Sequence, residues 1–358
     1  MFEVGCSCLK LKSKEGNNYW FRTCDMNDLN DVWKAGSKVI SYKENTEIHF
    51  SNDLILKSKF DIIGVSYGSI YTRMLDGINS LGLVGGLLAL GEGSSVNITK
   101  VTKEKNIEGI EFLTYALASC SSCDEVINLS KEIQLTNVIH SNIEVPATMH
   151  FTFSDNLKSI VLEATTDGIF TIYDNTIGVM TNSPVYSNHM KNLSWFIKNS
   201  KELNTGIINI HDNSISKKYD SIIIDGITVE GSEEQHNLDS SCLPGSYVSK
   251  DRFIKLAILK FLNNSGNDIS DEDMFMEGSK IINTVVVPRT KGYYYYSRIE
   301  DDKIYGTGDN FTQYTIFYNL KDKNLIIKHG DSIAYNKFSI NSIPNGLNIY
   351  EIDIVKNI

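Results

Sequence analysis

The chain opens with a segment in which apolar and polar residues alternate. Residues 6–13 read CSCLKLKS, a period of two that predicts a strand with one buried face. A polar turn follows at residues 14–18, and Tyr19–Cys24 predicts the returning strand of a β-hairpin. Comparable runs predict further strands at Lys38–Tyr42, Phe60–Tyr67, Leu83–Leu90, His150–Phe153, Ser159–Ala164, Ile169–Tyr173, Tyr293–Tyr296, Thr312–Tyr318 and Leu325–Lys328.

Helical periodicity occurs in two stretches of the chain. The first stretch contains Ile107–Ala118 and Glu125–Ile133. The helix predicted at Glu125–Ile133 begins with a capping-box pattern at residues 122–125. Asp251–Leu262 and Asp271–Asn283 form the second stretch, each with an acidic start. Helices in clusters between strand-rich blocks favour an α+β fold over alternating βαβ units.

Composition narrows the class of protein. The chain has 358 residues, 41% of them hydrophobic, and a formal net charge of -10. A chain of this length buries about three quarters of its unfolded surface, so its core needs no metal or disulfide. The acidic balance disfavours nucleic acid as a partner, because nucleic-acid binders carry clustered Lys and Arg.

The organisation of the chain favours one domain, although length alone suggests about two at roughly 150 residues each. The polar stretch Leu203–Ser241 reads as a long loop with its own hairpin, formed by Gly206–Ile210 and Ser221–Ile224. The longest apolar run, Leu81–Leu90, falls well short of the roughly 20 residues of a membrane-spanning helix. No secretory signal pattern is present, so we expect a cytoplasmic protein without a membrane partner.

The six cysteines stand at positions 6, 8, 24, 120, 123 and 242. In a large chain without an export signal we expect free thiols. The spacing of Cys120 and Cys123 fits a zinc or redox protein, but zinc needs a second pair or suitably spaced His ligands, and none is present. We prefer the interpretation that Cys120 ends one helix and Cys123 begins the next, and we predict no metal.

The first hairpin carries the most informative residues. With its turn near residues 15–17, positions 6–8 face positions of about 22–25, so Cys6, Arg22 and Asp25 become neighbours. A thiol attacks as the thiolate, which a nearby cation favours. The same three residues also fit a surface salt bridge beside a buried cysteine, and both interpretations stay open at this point.

Five segments share an order and spacing that covers nearly the whole chain. They are Cys6 with Arg22 and Asp25, then Asp76–Leu83, then Asp174–Pro184, then Leu243–Gly245 with Asp251–Phe253, and finally Phe311–Thr315. Together they resemble the choloylglycine hydrolases, a family of N-terminal-nucleophile hydrolases that comprises conjugated bile salt hydrolases and penicillin V acylases. The resemblance implies a four-layer αββα sandwich, in which two antiparallel sheets lie between layers of helices.

The resemblance also implies how the nucleophile is made. Self-cleavage between Gly5 and Cys6 would remove residues 1–5 and leave residues 6–358 as one amidase domain. The freed α-amino group of Cys6, with a reference pKa of about 7.7–8.0, would then take the thiol proton, so no histidine or cofactor is needed. Cys8 is a rival nucleophile, but it breaks the sixteen-residue spacing to Arg22. His189 reads as a helix-surface residue rather than a base.

The remaining site residues follow from the same resemblance. Arg22 would favour the thiolate, Asp25 would orient the amine, Asn182 would donate to the oxyanion, and Arg252 would complete the cationic surround. By our alignment, Ala89 stands where the family has Asn or Tyr. Its backbone N–H would still serve the oxyanion hole, while a side-chain contact to substrate is lost.

The implied reaction is hydrolysis of a small-molecule amide through an S-acyl-enzyme. The preferred substrate is a conjugated bile salt, which would release glycine or taurine, and Arg22 and Arg252 are the candidate positive charges for such an anion. The alternatives are penicillin V, an acyl-homoserine lactone or, in another class, an inactive ligand-binding protein on the same fold. Related enzymes often form tetramers, so we expect a homotetramer with the loop at about 203–241 in its interface.

Overall fold

Strands dominate the described part of the chain. The computed structural model describes residues 5–27, 31–90, 103, 105–136, 138–140, 143–145, 149–200, 220–232, 244–289, 295–300 and 303–356. The strands in its first half are β1 (Cys6–Lys12), β2 (Asn18–Asn27), β3 (Val39–Tyr42), β4 (Glu47–His49), β5 (Ile55–Lys57), β6 (Ile62–Tyr67), β7 (Ile70–Asn79), β8 (Val84–Ala89), β9 (Lys105–Glu108), β10 (Ile133–Thr136), β11 (Val138–His140), β12 (Ile143–Val145), β13 (Met149–Ser154), β14 (Ser159–Thr166), β15 (Ile169–Asp174) and β16 (Val179–Met180).

The second half adds seven strands and most of the helices in the described residues. These strands are β17 (Ser221–Ile224), β18 (Ile227–Glu230), β19 (Tyr295–Glu300), β20 (Lys303–Asn319), β21 (Asn324–His329), β22 (Asn336–Ser339) and β23 (Leu347–Tyr350). The helices are α1 (Phe112–Ser119), α2 (Cys123–Glu132), α3 (Tyr186–Asn199), α4 (Ser249–Leu262) and α5 (Met274–Asn283), with 3₁₀ turns at Gly109–Glu111, Asn264–Gly266 and Ile340–Ser342.

Two large antiparallel sheets form the centre of the molecule. In the described residues the first sheet has the order β16-β1-β2-β20-β21-β22, with β19 also paired to β20. The second has the order β15-β14-β13-β8-β7-β6-β3-β23. Helices α1 and α2 pack on the second sheet, while α3, α4 and α5 pack on the side of the first sheet that holds β1 and β2. This is the predicted four-layer α+β sandwich.

The alternation along β2 determines which residues face the second sheet. Trp20 and Arg22 point inward, since both lie against Gly86 of β8. Phe21 points the opposite way, onto Gly278 of α5. Side chains of successive strand residues leave opposite faces, so β2 contributes to two cores at once. Polar and charged inner positions of this strand therefore meet the second sheet instead of water.

Most predicted elements lie within a few residues of the observed ones, and the exceptions have physical causes. The expected helix Ile107–Ala118 begins only at Phe112, because residues 105–108 pair in parallel with β10 and form β9. Strand β7 was not predicted, since it is buried on both faces over most of its length and shows no alternation. Ser122 caps α2 as predicted, accepting from the Glu125 amide at 3.3 Å.

The long polar stretch is only partly within the described residues. Its strand Ser221–Ile224 pairs with Ile227–Glu230 across a tight turn. The hairpin partner predicted from sequence, Gly206–Ile210, lies outside the described residues. The observed pairing is local because residues 225 and 226 both adopt positive φ, which suits a two-residue hairpin turn.

A tight contact between α5 and β2 gives a test of the packing. A Cβ at Gly278 would lie 2.0 Å from Cζ of the buried Phe21 ring, so Gly278→Ala forces this interface apart. Overpacking typically costs about 1–3 kcal/mol, which outweighs a gain of roughly 1 kcal/mol in helix propensity. We expect a lower free energy of unfolding, by about 1–2 kcal/mol, measured by urea denaturation.

The matched control is Gly245→Ala, because no atom lies within 4 Å of a Cβ at that position. Its free energy of unfolding should stay within about 0.5 kcal/mol of the wild type. Equal urea midpoints for the two variants would contradict the packing described for α5.

Candidate functional site

The site is built on the predicted hairpin of β1 and β2. Cys6 pairs with Cys24, and Cys8 pairs with Arg22. Because residues two apart share a face and paired residues project together, Cys6, Arg22 and Cys24 all point between the two sheets. The register confirms the prediction that positions 6–8 face positions 22–25.

Arg22 connects the thiol of Cys6 to the second sheet. Its Nη2 donates to Cys6 Sγ at 3.4 Å and to the Leu87 carbonyl of β8 at 2.5 Å. Its Nη1 donates to the Leu75 carbonyl of β7 and to Asp76 Oδ2, the latter at 2.8 Å. The side chain is 0% exposed, so these four acceptors replace water around the guanidinium.

Asp76 neutralises this buried charge and is itself fully bonded. Its Oδ2 accepts from the Tyr314 hydroxyl at 2.5 Å as well as from Arg22, and its Oδ1 accepts from the Tyr318 hydroxyl at 2.6 Å. A buried ion pair is tolerated when further hydrogen bonds satisfy its remaining lone pairs. Three donors on one carboxylate fix the guanidinium of Arg22, and hence its position beside Cys6.

The thiol of Cys6 is strongly activated in this surround. A hydrogen bond from the Cys24 thiol is the largest influence, followed by burial, which opposes it, and by the charge and hydrogen bond of Arg22. The result lowers the pKa of Cys6 to about 5. Burial raises the pKa of Cys8 well above its ordinary value, even though the charge of Arg22 opposes that rise. Electrostatics therefore distinguish Cys6 from its rival Cys8.

Asn182 lies beside the backbone of Cys6. The β1–β16 register, extended by two residues, places it opposite Cys6, and its Oδ1 accepts from the Cys6 backbone N at 2.5 Å. Its Nδ2 donates one hydrogen to the Ala89 carbonyl at 2.8 Å. The N–H and C=O of one strand residue point to the same side, so the Ala89 N–H also lies on the edge of β8 that faces Asn182.

Arg252 approaches Cys6 from the helix layer. It lies near the start of α4, and its Nη1 donates to the Cys6 carbonyl at 2.6 Å and to Ser7 Oγ at 2.5 Å. Its Nη2 donates to Asn182 Oδ1 at 3.0 Å, while Nε donates to the Tyr247 carbonyl at 2.8 Å. One guanidinium thus holds both the backbone of Cys6 and the amide of Asn182.

Asp25 faces the same helix layer. A β-bulge in β2 separates it from Cys24, and its Oδ2 lies 3.6 Å from Arg252 Nη1. Thr312 donates its hydroxyl to Asp25 Oδ1 at 2.5 Å, and the Asp25 backbone N donates to the Gly5 carbonyl at 2.6 Å. Burial raises the pKa of Asp25 to about 7, although the charge of Arg252 opposes that rise.

His189 is buried, so its interpretation as a helix-surface residue is wrong. Helix α3 turns it inward, where its ring stacks on Phe253 at 4.4 Å between centroids. Burial lowers the pKa of His189 to about 3, which keeps the ring neutral. Its Nε2 lies 2.7 Å from the Asn182 carbonyl, an acceptor, so Nε2 carries the proton. His189 thereby anchors the segment that carries Asn182.

The structure brings all the predicted site residues together around Cys6. The surface-salt-bridge interpretation is wrong, because Arg22 and Asp25 are both buried and pair with other residues, Asp76 and Arg252. Arg22 is also unsuited to hold an anionic substrate, since its charge is neutralised inside the protein.

No role in the site was predicted for six residues that contact this set directly or, for Tyr314 and Tyr318, through Asp76. They are Cys24, Asp76, His189, Thr312, Tyr314 and Tyr318. Strand alternation was a sufficient signal for Cys24 alone, because it lies two residues from Arg22 on the same face. The others come from distant segments, and their contacts depend on how the sheets and helices pack.

The remaining candidate features occupy structural positions. Cys120 caps the end of α1 and Cys123 is the first residue of α2, as predicted, and burial raises the pKa of both thiols. Among the residues described, no group of three or more His, Cys, Asp or Glu side chains is arranged to hold a metal ion. No helix in the described ranges is long and apolar enough to span a membrane.

Two face-to-face antiparallel sheets, covered by helices on both sides, define the fold class of the N-terminal-nucleophile hydrolases. A family model described as linear amide C-N hydrolases, choloylglycine hydrolase family, matches residues 6–344. The chain belongs to this family, and it is a hydrolase of linear amide C–N bonds.

Individual proteins are similar over most of their length. A bile salt hydrolase/transferase of Clostridium perfringens is 26% identical over 329 residues, which is 84% of this chain and 91% of that protein. A crystal structure of a conjugated bile acid hydrolase variant from the same organism superposes with a TM-score of 0.73 at 24% identity, covering 99% of each chain. Penicillin V acylase from Agrobacterium tumefaciens gives 0.66 at 16% identity, covering 96% of this chain and 90% of that one. These structural likenesses establish the fold.

The Arg22–Asp76 pair predicts a large stability effect. Asp76→Asn removes the carboxylate charge while keeping the shape of the side chain, so Arg22 loses its paired carboxylate and keeps only the Cys6 sulfur as a negative neighbour. Breaking a buried pair in this way costs about 3–5 kcal/mol, and we expect that loss in the free energy of unfolding by urea. The control Tyr318→Phe removes one hydroxyl donor and should cost only about 1–3 kcal/mol. Similar losses for both variants would argue against the pair as the dominant contact.

The low pKa of Cys6 predicts selective alkylation under mildly acidic conditions. Because the thiolate is the reactive form and exists above the pKa, the iodoacetamide rate at Cys6 should rise with pH through a midpoint of about 5. Cys24→Ala removes the strongest stabilising donor and should shift that midpoint upward, while Cys8→Ala should not. Fragmentation mass spectrometry locates the adduct, and a wild-type midpoint near the ordinary value of about 8.5 would refute the electrostatic description.

Proposed function

We propose that the chain hydrolyses the amide bond of conjugated bile salts with Cys6 as its N-terminal nucleophile. The observation that carries this proposal is the environment of Cys6: its Sγ accepts from Arg22 while Asn182 and Arg252 bond its backbone N and O. A thiolate beside a cation, with its own backbone held in place and amide donors nearby, is what acyl transfer to sulfur requires.

The first step is self-cleavage, which would expose the nucleophile. Cys6 Sγ attacks the Gly5 carbonyl carbon, the C–N bond breaks, and the thiol proton goes to the departing nitrogen. Water then hydrolyses the thioester, which releases residues 1–5 and leaves a free amine and thiol. The Asp25 backbone N donates to the Gly5 carbonyl oxygen at 2.6 Å, where negative charge develops. A Cβ at Gly5 would lie 2.7 Å from Asp25 Oδ2, which favours glycine there.

Amide hydrolysis then repeats this chemistry on the substrate. The Cys6 amine takes the thiol proton, and the thiolate attacks the substrate carbonyl. Asn182 has a second Nδ2 hydrogen, beyond the one donated to Ala89, that is available to the oxyanion together with the Ala89 N–H. The proton passes to the leaving amine, and water hydrolyses the S-acyl-enzyme to regenerate Cys6.

The residues around Cys6 act as supports for these steps. Arg22 stabilises the thiolate, and Asp25 lies where it orients the new amine through its position beside Gly5. Arg252 fixes the Cys6 carbonyl and the Asn182 amide, and neutral His189 holds the Asn182 backbone. Each proposed role is supported by a contact to Cys6, to Gly5 or to Asn182.

The substrate class is supported by the relatives that match the chain. Bile salt hydrolase/transferases of Clostridium perfringens and Lactiplantibacillus plantarum are each 26% identical to it, over 84% and 71% of its length. Residue 89 is alanine, so the side chain at this position offers no polar contact to a substrate. Selectivity among acyl groups therefore depends on residues other than this one.

A hydrolysis panel tests the substrate. We expect release of glycine or taurine from glycocholate or taurocholate, detected by an amine assay, and slower turnover of penicillin V and an acyl-homoserine lactone. Asn182→Ala should lower kcat by about 10²–10³-fold, the usual effect of losing one oxyanion donor. Faster turnover of penicillin V than of the bile salts would contradict the bile salt proposal and favour penicillin V as the substrate. No turnover of any compound would favour an inactive ligand-binding protein.

Intact mass tests the nucleophile independently. The purified wild-type protein should lack residues 1–5, whereas Cys6→Ala should retain them and lose activity by about 10³-fold or more. Cys8→Ala is the matched control, since it removes a buried thiol from the same strand face, and it should be processed normally. Retention of all five residues in an active wild-type protein would refute the proposed N-terminal nucleophile.

A further inference from the structure

The thiol of Cys24 lies against the thiol of Cys6 and serves no packing need that an apolar residue would not meet. The two residues pair directly across β1 and β2, and Cys24 is 0% exposed. Of the neighbouring groups, each of the two thiols has the largest influence on the pKa of the other. Both cysteines are free thiols in the structure.

Backbone hydrogen bonds show whether Cys6 and Cys24 form a hydrogen-bonded or a non-hydrogen-bonded pair of the antiparallel ladder. The Asp25 amide donates to the Gly5 carbonyl at 2.6 Å, and the Ser13 amide donates to the Asn17 carbonyl at 2.8 Å. Both are hydrogen-bonded pairs of the same register. Hydrogen-bonded and non-hydrogen-bonded pairs alternate along an antiparallel ladder. Cys6 and Cys24 therefore form a non-hydrogen-bonded pair, in which Cα atoms typically lie about 4.5 Å apart and side chains are closest.

That spacing is compatible with a covalent bond. Disulfides join Cα atoms about 4.4–6.8 Å apart, so the typical spacing of such a pair lies at the lower end of the range that a cross-strand bond needs. The other thiol on this face, that of Cys8, lies two residues along the same strand and is opposite Arg22. Cys24 is therefore the thiol directly opposite Cys6.

We propose that Cys6 and Cys24 are an oxidisable pair, in which Cys24 resolves peroxide-oxidised Cys6 as a reversible disulfide. The Cys6 thiolate attacks one oxygen of a hydroperoxide, the O–O bond breaks, and Cys6 becomes a sulfenic acid while the hydroperoxide is reduced to an alcohol or water. Cys24 then attacks the sulfenyl sulfur and releases water. The two thiols lose two electrons in total, and a small dithiol returns them.

The electrostatics of the pair suit both steps. Cys6 is the thiolate and Cys24 the thiol, because burial and the neighbouring Cys6 raise the pKa of Cys24. Once Cys6 is a neutral sulfenic acid, that second influence disappears while the charge of Arg22 continues to lower the pKa of Cys24. Oxidation of the first sulfur therefore activates the second.

The consequence is protection of a buried, reactive sulfur. Without a neighbouring thiol, a sulfenic acid proceeds with further peroxide to the sulfinic acid, which is irreversible under ordinary conditions. Cys6 is 1% exposed, so a small peroxide reaches it more readily than a bulky disulfide reagent. The disulfide stores the oxidised sulfur in a form that thiols reduce.

Peptide mapping tests the bond without reference to any activity. Trypsin cuts after Lys10, Arg22 and Lys34, so the two thiols fall on different peptides. The Cys8→Ala variant leaves Cys6 as the one cysteine of its peptide. After hydrogen peroxide treatment, we expect a cross-linked peptide lighter by two hydrogen atoms than the sum of its parts, and dithiothreitol should abolish it.

The second test uses Cys24→Ala made in the Cys8→Ala protein, so that Cys6 is again the one cysteine of its peptide. With peroxide its Cys6 peptide should gain two oxygen atoms, and dithiothreitol should not reverse that gain. Amidase activity should return after reduction in the Cys8→Ala protein and stay lost in the Cys24→Ala protein, each measured against its own untreated sample. Circular dichroism checks that the variant is folded.

The outcomes separate this proposal from the proposed function. Peroxide-treated protein with sulfinic Cys6 and a free Cys24 thiol would overturn the pair, as would dithiothreitol-reversible oxidation of Cys6 in Cys24→Ala. A Cys6–Cys24 cross-link in a protein that hydrolyses no bile salt would support the pair and count only against the substrate proposed above.

Discussion

The site depends on one desolvated charge, the guanidinium of Arg22 between the two sheets. It is tolerated there because Asp76 neutralises it and carbonyls of β7 and β8 accept hydrogen bonds from Nη1 and Nη2, while the Tyr314 and Tyr318 hydroxyls donate to the Asp76 carboxylate. In a low-dielectric gap each of these bonds is stronger than in water, and an unpaired member is costly. The same constraint that joins the sheets therefore fixes a cation beside the Cys6 sulfur.

The two faces of strand β1 make different contacts with the site. Its inner face presents Cys6 to Arg22, and its outer face and the edge that pairs with β16 present the Cys6 backbone to Arg252 and Asn182. The inner contacts govern the charge of the sulfur, whereas the outer contacts hold the backbone that self-cleavage and acyl transfer would use. His189 links the two outer contacts, because it bonds the Asn182 carbonyl and stacks on the residue after Arg252.

Much of the site was predictable from the sequence. The contacts that were not predicted all depend on how distant segments pack. Strand period and turn position were enough to pair residues 6–8 with 22–25, and the resemblance of five segments to the choloylglycine hydrolases implied Asn182 and Arg252. The partners of the charged residues were not predictable, because Arg22 and Asp25 look like each other's counter-ions in sequence yet pair with Asp76 and Arg252. His189 was misplaced because helical periodicity in α3 does not reveal which face a second helix covers.

By itself the sequence determined the local features: the hairpin and its register, the helix boundaries at Cys120 and Cys123, the α+β class and the family. These features depend on the alternation of apolar and polar residues, on turn residues and on motif spacing, all of which can be read directly from the sequence. The tertiary structure alone decided which charges pair. Those pairs join residues as distant in sequence as Asp25 and Arg252, and only the packing of two sheets and their helices brings such residues together.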